Sequence, residues 1–381
     1  MLRRRAWLFF LLLVPALLLL FVWQLLLWRM SLRAPLWQVQ LPGDIIGIEA
    51  DGEAGFIVLQ QVGGQGGTHA YVSRTRLDST GATQWSVPDL PMPGDYNPRM
   101  SVDNGRIRIS GELGVLLEFD MQGAARPPQS VSYLRDVLGI DGVFSAARLP
   151  DGGSLQYCRL LDESDDSIAA RLGLEISGYG HFLLQLGPDN IALKARQCSS
   201  PLVGGIWQAD TDLYALIEFY GDPWLGDYGN SRTVALFSLG STDGLHQVAA
   251  SEMPGYITSV LECRDGLAVL GGELLVVSNE NMYAVASDPP AYSLGKGESG
   301  ELLASRASSL PLRGWLRQFA YGPDAMEACR LEHGRLRRIF SFRAVLPRSL
   351  RSCLAESGGL VLVGESNASH SPISTLNCYR P

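Results

Sequence analysis

Lysine is almost missing from this chain: of 31 basic residues 29 are Arg, leaving Lys194 and Lys296. No Gly-rich loop ends in Lys-Ser or Lys-Thr, so the chain has no phosphate-cradling loop of the nucleotide-hydrolase type. No two of its six cysteines are adjacent and none are spaced C-x-x-C, which removes the common zinc and dithiol motifs. The five histidines stand singly and no H-E-x-x-H occurs; a nucleophile elbow of the form G-x-S-x-G is also absent. Between residues 43 and 381 no long apolar run repeats with the period of a helix, and Gly and Pro are scattered throughout, so the class is all-β.

One long hydrophobic segment is present. From Ala6 to Trp28 no residue is charged, a stretch that as a helix would extend roughly 34 Å and span the hydrocarbon layer. Trp7 near one end and Trp23, Trp28 and Trp37 near the other suit the headgroup boundary. A cleaved leader would have a shorter apolar stretch and a small-x-small exit, so the segment is expected to persist as a signal-anchor. Arg3, Arg4 and Arg5 outweigh Arg29 and Arg33, which leaves residues 1–5 in the cytoplasm and places the chain beyond the anchor on the periplasmic or equivalent side. The expected order is a cytoplasmic terminus over 1–5, a transmembrane helix over 6–28, a linker over 29–35 and an extracytoplasmic domain over 36–381. Beyond residue 34 there are 26 basic and 39 acidic residues, a net −13 that matches neither nucleic acid nor an anionic lipid face. Cys158, Cys198, Cys263, Cys329, Cys353 and Cys378 all lie on that side, where an even count allows up to three disulfides or a set of buried thiols.

The domain reads as repeats. Short apolar runs meet turns at Asp51-Gly52, Asp103-Asn104-Gly105, Asp151-Gly152-Gly153, Asp210-Thr211-Asp212, Asp265-Gly266, Gly322-Pro323-Asp324 and Ser357-Gly358-Gly359, each followed by another apolar run. These mark inner hairpins, with Trp315 to Ala320 as the first strand of the sixth. A second series, Leu77-Asp78-Ser79-Thr80-Gly81 with Trp85, Phe119-Asp120-Met121-Gln122-Gly123, Gly187 to Asn190, Asp243-Gly244, Asp288-Pro289 and His333-Gly334, marks outer hairpins. A four-stranded blade takes about 40 to 50 residues, so seven blades fit the length, six or eight staying open, and the expected fold is a β-propeller. Trp37-Gln38-Val39 parallels Trp85-Ser86-Val87. Residues 36–40 are therefore expected to supply the fourth strand of a blade whose other strands come from the C-terminus, closing the ring.

Phe56 to Val87, with the Leu77-Asp78-x-x-Gly81-x-x-x-Trp85 ending, and Gly358 to Gly364 resemble the PQQ-like propeller repeats of bacterial envelope proteins. That resemblance covers about a quarter of the chain and concerns scaffold positions. Quinone-dependent dehydrogenases use related propellers with adjacent cysteines and a carboxylate-bound calcium beside the cofactor. No two cysteines are adjacent here, so no cofactor is expected.

No metal site is expected either. Asp162, Ser164 and Asp166 have alternate acidic spacing without the Gly and Glu of a calcium loop. The segment Tyr220 to Asn230 combines Tyr220, Trp224 and Tyr228 with Asp222 and Asp227 on a loop expected to be too long for a tight hairpin, a composition suited to protein contact or sugar stacking, and equally to aromatics that fold back over a blade edge. The expected function is a non-enzymatic, single-pass platform for other envelope proteins at the cytoplasmic membrane. The alternative is a propeller that binds or processes a small ligand or glycan at its central channel.

Overall fold

The computed structural model describes residues 13–23, 32–62, 69–93, 99–103, 105–110, 116–124, 142–148, 153–159, 181–188, 192–198, 202–209, 212–222, 227–240, 244–253, 258–264, 266–278, 281–307, 325–344, 350–367 and 373–381. Residues 13–23 are helical, and every other regular element among the described residues is a β-strand. The helix carries open apolar side chains, Leu19 at 70% exposure and Trp23 at 62%. Among the described residues no helix is long and apolar enough to cross a membrane; residues 6–12 and 24–28 of the expected span lie outside them.

The strands follow one another as antiparallel meanders. After β1 (Leu32–Arg33) and β2 (Trp37–Pro42), the first complete sheet is β3 (Asp44–Ala50), β4 (Phe56–Val62), β5 (His69–Leu77) and β6 (Thr83–Pro93). The next comprises β7 (Arg99–Asp103), β8 (Arg106–Ser110) and β9 (Leu116–Asp120). Then come β10 (Gly142–Arg148), β11 (Ser154–Arg159), β12 (His181–Leu186) and β13 (Ala192–Cys198). A longer-stranded sheet is formed by β14 (Leu202–Ala209), β15 (Asp212–Asp222), β16 (Asp227–Gly240) and β17 (Gly244–Met253). It is followed by β18 (Ser259–Cys263), β19 (Gly266–Leu270), β20 (Leu274–Val277) and β21 (Met282–Val285).

The remaining strands are β22 (Ala291–Lys296), β23 (Leu302–Ala307), β24 (Ala325–Glu332), β25 (Arg335–Arg343), β26 (Leu350–Ser357), β27 (Leu360–Asn367) and β28 (Ile373–Tyr379). The meanders β22–β25 and β26–β28 merge into one nine-stranded sheet because β22 and β26 pair in parallel over Gly295↔Leu354 and Lys296↔Ala355. A Cβ on Gly295 would run into the Leu354 carbonyl, so that close approach needs glycine.

First strands of successive meanders touch at six junctions: β3 against β7, β10 against β14, β14 against β18, β18 against β22, β22 against β26, and β26 against β3. This is the propeller-like order. Sheets stack face to face, so strands such as β20 are buried along their whole length and read as unbroken apolar runs. One apolar cluster joins Leu41, Ile45, Ile48, Phe56 and Val58 to Leu360, Leu362, Leu376 and Cys378, uniting the two ends of the chain.

The expected closure is present. β2 pairs antiparallel with β28 from Trp37↔Cys378 to Pro42↔Ile373, and the Leu36 amide donates to the Cys378 carbonyl at 2.7 Å. The linker expected over 29–35 is partly structured as well. Leu32 and Arg33 pair in parallel with Ser341 and Phe342 of β25, and Arg33 Nη1 donates to the Arg380 carbonyl at 3.1 Å.

Each outer turn of the Asp-x-x-Gly type receives an indole from the preceding sheet. Trp37 Nε1 donates to the Ser79 carbonyl at 2.9 Å, and Trp85 Nε1 to the Met121 carbonyl at 3.0 Å. The Asp carboxylates organise those turns: Asp78 Oδ1 accepts from the amides of Thr80 and Ala82, and Asp120 Oδ1 from those of Gln122 and Ala124. The Thr80 hydroxyl, reinforced by these amides, holds the Asp78 carboxyl below its ordinary range. Gly81 at φ 84° lies flat against the Trp37 ring.

The sequence puts two turns in the wrong phase. Asp288-Pro289 sits between β21 and β22, a connection between sheets and not an outer hairpin. The inner hairpin of the β22–β25 meander joins β22 to β23 through Gly297–Gly300, where the Gly297 amide bonds the Glu301 carbonyl. Trp315 to Ala320, expected as that inner strand, lies outside the described residues, and β24 after it is a third strand. The reason is chemical: Gly-Pro-Asp and Gly-Glu-Ser-Gly are equally good turn formers, so composition alone does not fix which hairpin is innermost.

A side chain at Gly81 would adopt a left-handed conformation and also meet the Trp37 ring, 2.8 Å from the new Cβ; at Gly52, with φ 80°, nothing lies within 4 Å. The conformational cost is about 1 to 2 kcal/mol at both positions. Gly81→Ala should therefore lower the melting midpoint clearly more than Gly52→Ala when both are followed by near-ultraviolet circular dichroism. Equal losses would show that the indole does not seal this junction.

Candidate functional site

The expected contact segment is built differently from the loop read in the sequence. Tyr220 and Asp222 belong to β15, and Asp227 and Tyr228 to β16; the two strands still pair at Asp222↔Asp227 after a shift in register from Tyr220↔Arg232. Strand pairing thus consumes most of the loop, and only 223–226, which include Trp224, lie outside the described residues. Aromatic residues favour strands as well as contact surfaces, so this composition supports an extended hairpin. Its strands are longer than the corresponding pair of the next sheet, 11 and 14 residues against 5 and 4 for β19 and β20.

A second candidate lies where the first strands of the meanders end. Glu49 on β3 is 7% exposed and interacts with Lys296 on β22 and Glu262 on β18, three different meanders contributing to one locus. Burial raises the Glu49 carboxyl to about 7; Lys296 opposes that rise and Glu262 adds to it. No signal in the sequence singled out these three residues, because their convergence depends on the order of the inner strands. The next turn shows the opposite arrangement, a fully compensated acid. Asp51 Oδ1 accepts from the amides of Glu53 and Gly55 at 2.7 and 2.8 Å, and its Oδ2 accepts from Arg76 Nε at 2.9 Å. Arg76 also reaches Glu53 at 2.7 Å.

Between the first and second sheets lies a third unusual group. Arg74 on β5 is 1% exposed, and its guanidinium stacks 3.3 Å from the centroid of the Phe119 ring. Burial lowers its pKa to about 10. Other buried charges do meet a partner, as where Arg306 Nε meets Glu327 at 3.1 Å and Arg330 Nη2 meets Glu356 at 2.5 Å.

Cys329 and Cys378 carry free thiols in two separate apolar clusters, so they do not pair with each other or with any other cysteine. Burial pushes them to about 11 and about 12, which keeps both protonated and unreactive at neutral pH. Three disulfides are therefore not formed. Among the described residues no three His, Cys, Asp or Glu side chains gather to hold a metal ion, and Asp162, Ser164 and Asp166 lie outside those residues.

No family model matches the chain. No curated protein matches it either. Among solved structures it is similar to a chain in the crystal structure of the mitotic checkpoint complex, with a TM-score of 0.48 and 13% identity over 91% of this chain and 95% of that one. It is also similar to the acylaminoacyl peptidase of Pyrococcus horikoshii, with a TM-score of 0.48 and 8% identity over 89% of this chain. The chain spans about half of the peptidase, 51% of its length. Likenesses of this size carry no argument about activity.

Glu49 generates a pH prediction with a definite sign. Its folded-state pKa of about 7 lies above the ordinary 4.5, so the folded protein holds a proton that the unfolded chain releases between those values. Stability should fall as pH rises through that window, by on the order of 3 kcal/mol at most. Glu49→Gln should raise the melting midpoint at pH 8 and change it little at pH 4.5. A variant no more stable at pH 8 than the native chain would contradict a buried, uncompensated carboxylate.

Proposed function

We propose that this chain is a seven-bladed β-propeller, anchored by one N-terminal transmembrane helix, that serves as a non-enzymatic docking platform for other envelope proteins. The observation that carries the reading is the continuity between an open apolar helix and the strand that closes the ring. Leu32 follows Trp23 by nine residues, and from Leu32 onward the chain is stitched to β25 and β28. A propeller closed this way is a rigid body, and a rigid body presenting variable turns suits recognition of partners. The lipid bilayer is the natural solvent for side chains as open as Leu19 and Trp23, with residues 6–28 completing the span.

Several features support finer parts of the proposal. Seven successive meanders, β3–β6, β7–β9, β10–β13, β14–β17, β18–β21, β22–β25 and β26–β28 with β2, support a count of seven blades. The indole-to-carbonyl junctions at Trp37 and Trp85 recur at the positions where the sequence resembles PQQ-like repeats. The Arg3–Arg5 cluster supports a periplasmic propeller at the cytoplasmic membrane. The long β15–β16 hairpin, with Tyr220, Asp222, Trp224, Asp227 and Tyr228 near its tip, is the proposed contact element. The alternative of a small-ligand or glycan site draws on one observation, the meeting of Glu49, Glu262 and Lys296 where three inner strands end.

Affinity isolation of the full chain from detergent-solubilised membranes should recover a defined set of envelope proteins at near-stoichiometric amounts. Trp224→Ala combined with Tyr228→Ala should reduce that recovery at least tenfold while leaving the melting midpoint unchanged. Recovery of the chain alone at its native abundance would contradict the platform reading.

A further inference from the structure

Among the described residues Arg74 has no counter-ion. Its Nε and Nη1 atoms are buried without any hydrogen-bond partner. Its cross-strand neighbours are Leu59 and Val87, and the cluster joining the first two sheets consists of Ile57, Leu59, Ile107, Ile109 and Phe119. An unpaired charge in such surroundings is costly, and stacking on an aromatic ring returns only part of that cost. The guanidinium stays protonated at neutral pH, because the pKa of about 10 remains well above it. A cation is thus held in the interior with unused donors, beside a ring that fixes the plane of its fork. Arg76, two residues along the same strand, has both Asp51 and Glu53 and needs nothing further.

We propose that Arg74 is the recognition group of a site for a small oxyanion, a carboxylate or a phosphate, seated between the first and second sheets with Phe119 as the stacking surface. The planar fork of arginine matches both anions through paired N–H donors, and a site lined by Ile and Leu strengthens the charge-assisted bonds that form there. An anion so bound would also join two sheets, coupling occupancy to the firmness of this junction. The site is separate from the β15–β16 hairpin, and its existence does not depend on the platform reading.

The test is the melting midpoint of the full detergent-solubilised chain in sodium phosphate, sodium acetate and sodium chloride at matched ionic strength and pH. The native chain should melt at least about 2 °C higher in phosphate or acetate than in chloride, the larger shift identifying the class. Arg74→Met should abolish that difference, and Arg74→Lys, which keeps the charge and loses the fork, should at least halve it. No oxyanion-specific shift in the native chain overturns the proposal, whether or not the variants fold. An equal shift in Arg74→Met or an undiminished one in Arg74→Lys overturns it too.

Discussion

The structure depends on a sheet that cannot be finished by consecutive residues. Strands such as β19 and β20 are apolar on both faces, so every meander needs a neighbour on each side to keep water from those faces. A linear stack would leave two ends bare. The chain meets the requirement by lending β2 to β28, which brings Leu41 and Ile45 into one cluster with Leu362 and Leu376 from more than 300 residues away. A junction of that kind carries a large loop-closure cost during folding, and the repeated indole-to-carbonyl bonds at Trp37 and Trp85 give each new sheet a specific position on the last.

Charge is handled unevenly within this frame. Asp51, Glu327 and Glu356 are buried with arginine partners, and the pairs tie the turn after β3 to β5, β23 to β24, and β24 to β26. Glu49 and Arg74 are not matched in this way. One gathers an ammonium and a second carboxylate from other meanders; the other rests on an aromatic ring inside an apolar cluster. Both cost stability that hydrophobic replacements would restore, which is the behaviour of groups kept for binding or for titration.

Much of the scaffold was legible in the residues. Asp51-Gly52, Asp103 to Gly105 and Ser357 to Gly359 each separate two strands as read, and the likeness between Trp37-Gln38-Val39 and Trp85-Ser86-Val87 was enough to foresee the closure. The phase of the β22–β25 meander was not legible, because turn composition is degenerate and Gly297 to Gly300 is chemically as good a hairpin as Gly322 to Asp324. The strand pairing at Tyr220 to Tyr228 was not legible either, because aromatic residues suit a contact loop and a strand equally. Glu49 and Arg74 left no trace, since the meeting of Glu49 with Lys296 spans 247 positions and the isolation of Arg74 is a property of its neighbours.

The central claim is that residues 37–42 are an integral strand of the sheet formed by the C-terminus. Hydrogen–deuterium exchange of the intact chain measures this directly. Peptides covering Trp37–Pro42 and Ile373–Tyr379 should be protected to the same degree and lose protection together as denaturant is raised. Exchange of Trp37–Pro42 within seconds, while Ile373–Tyr379 stays protected, would contradict the account.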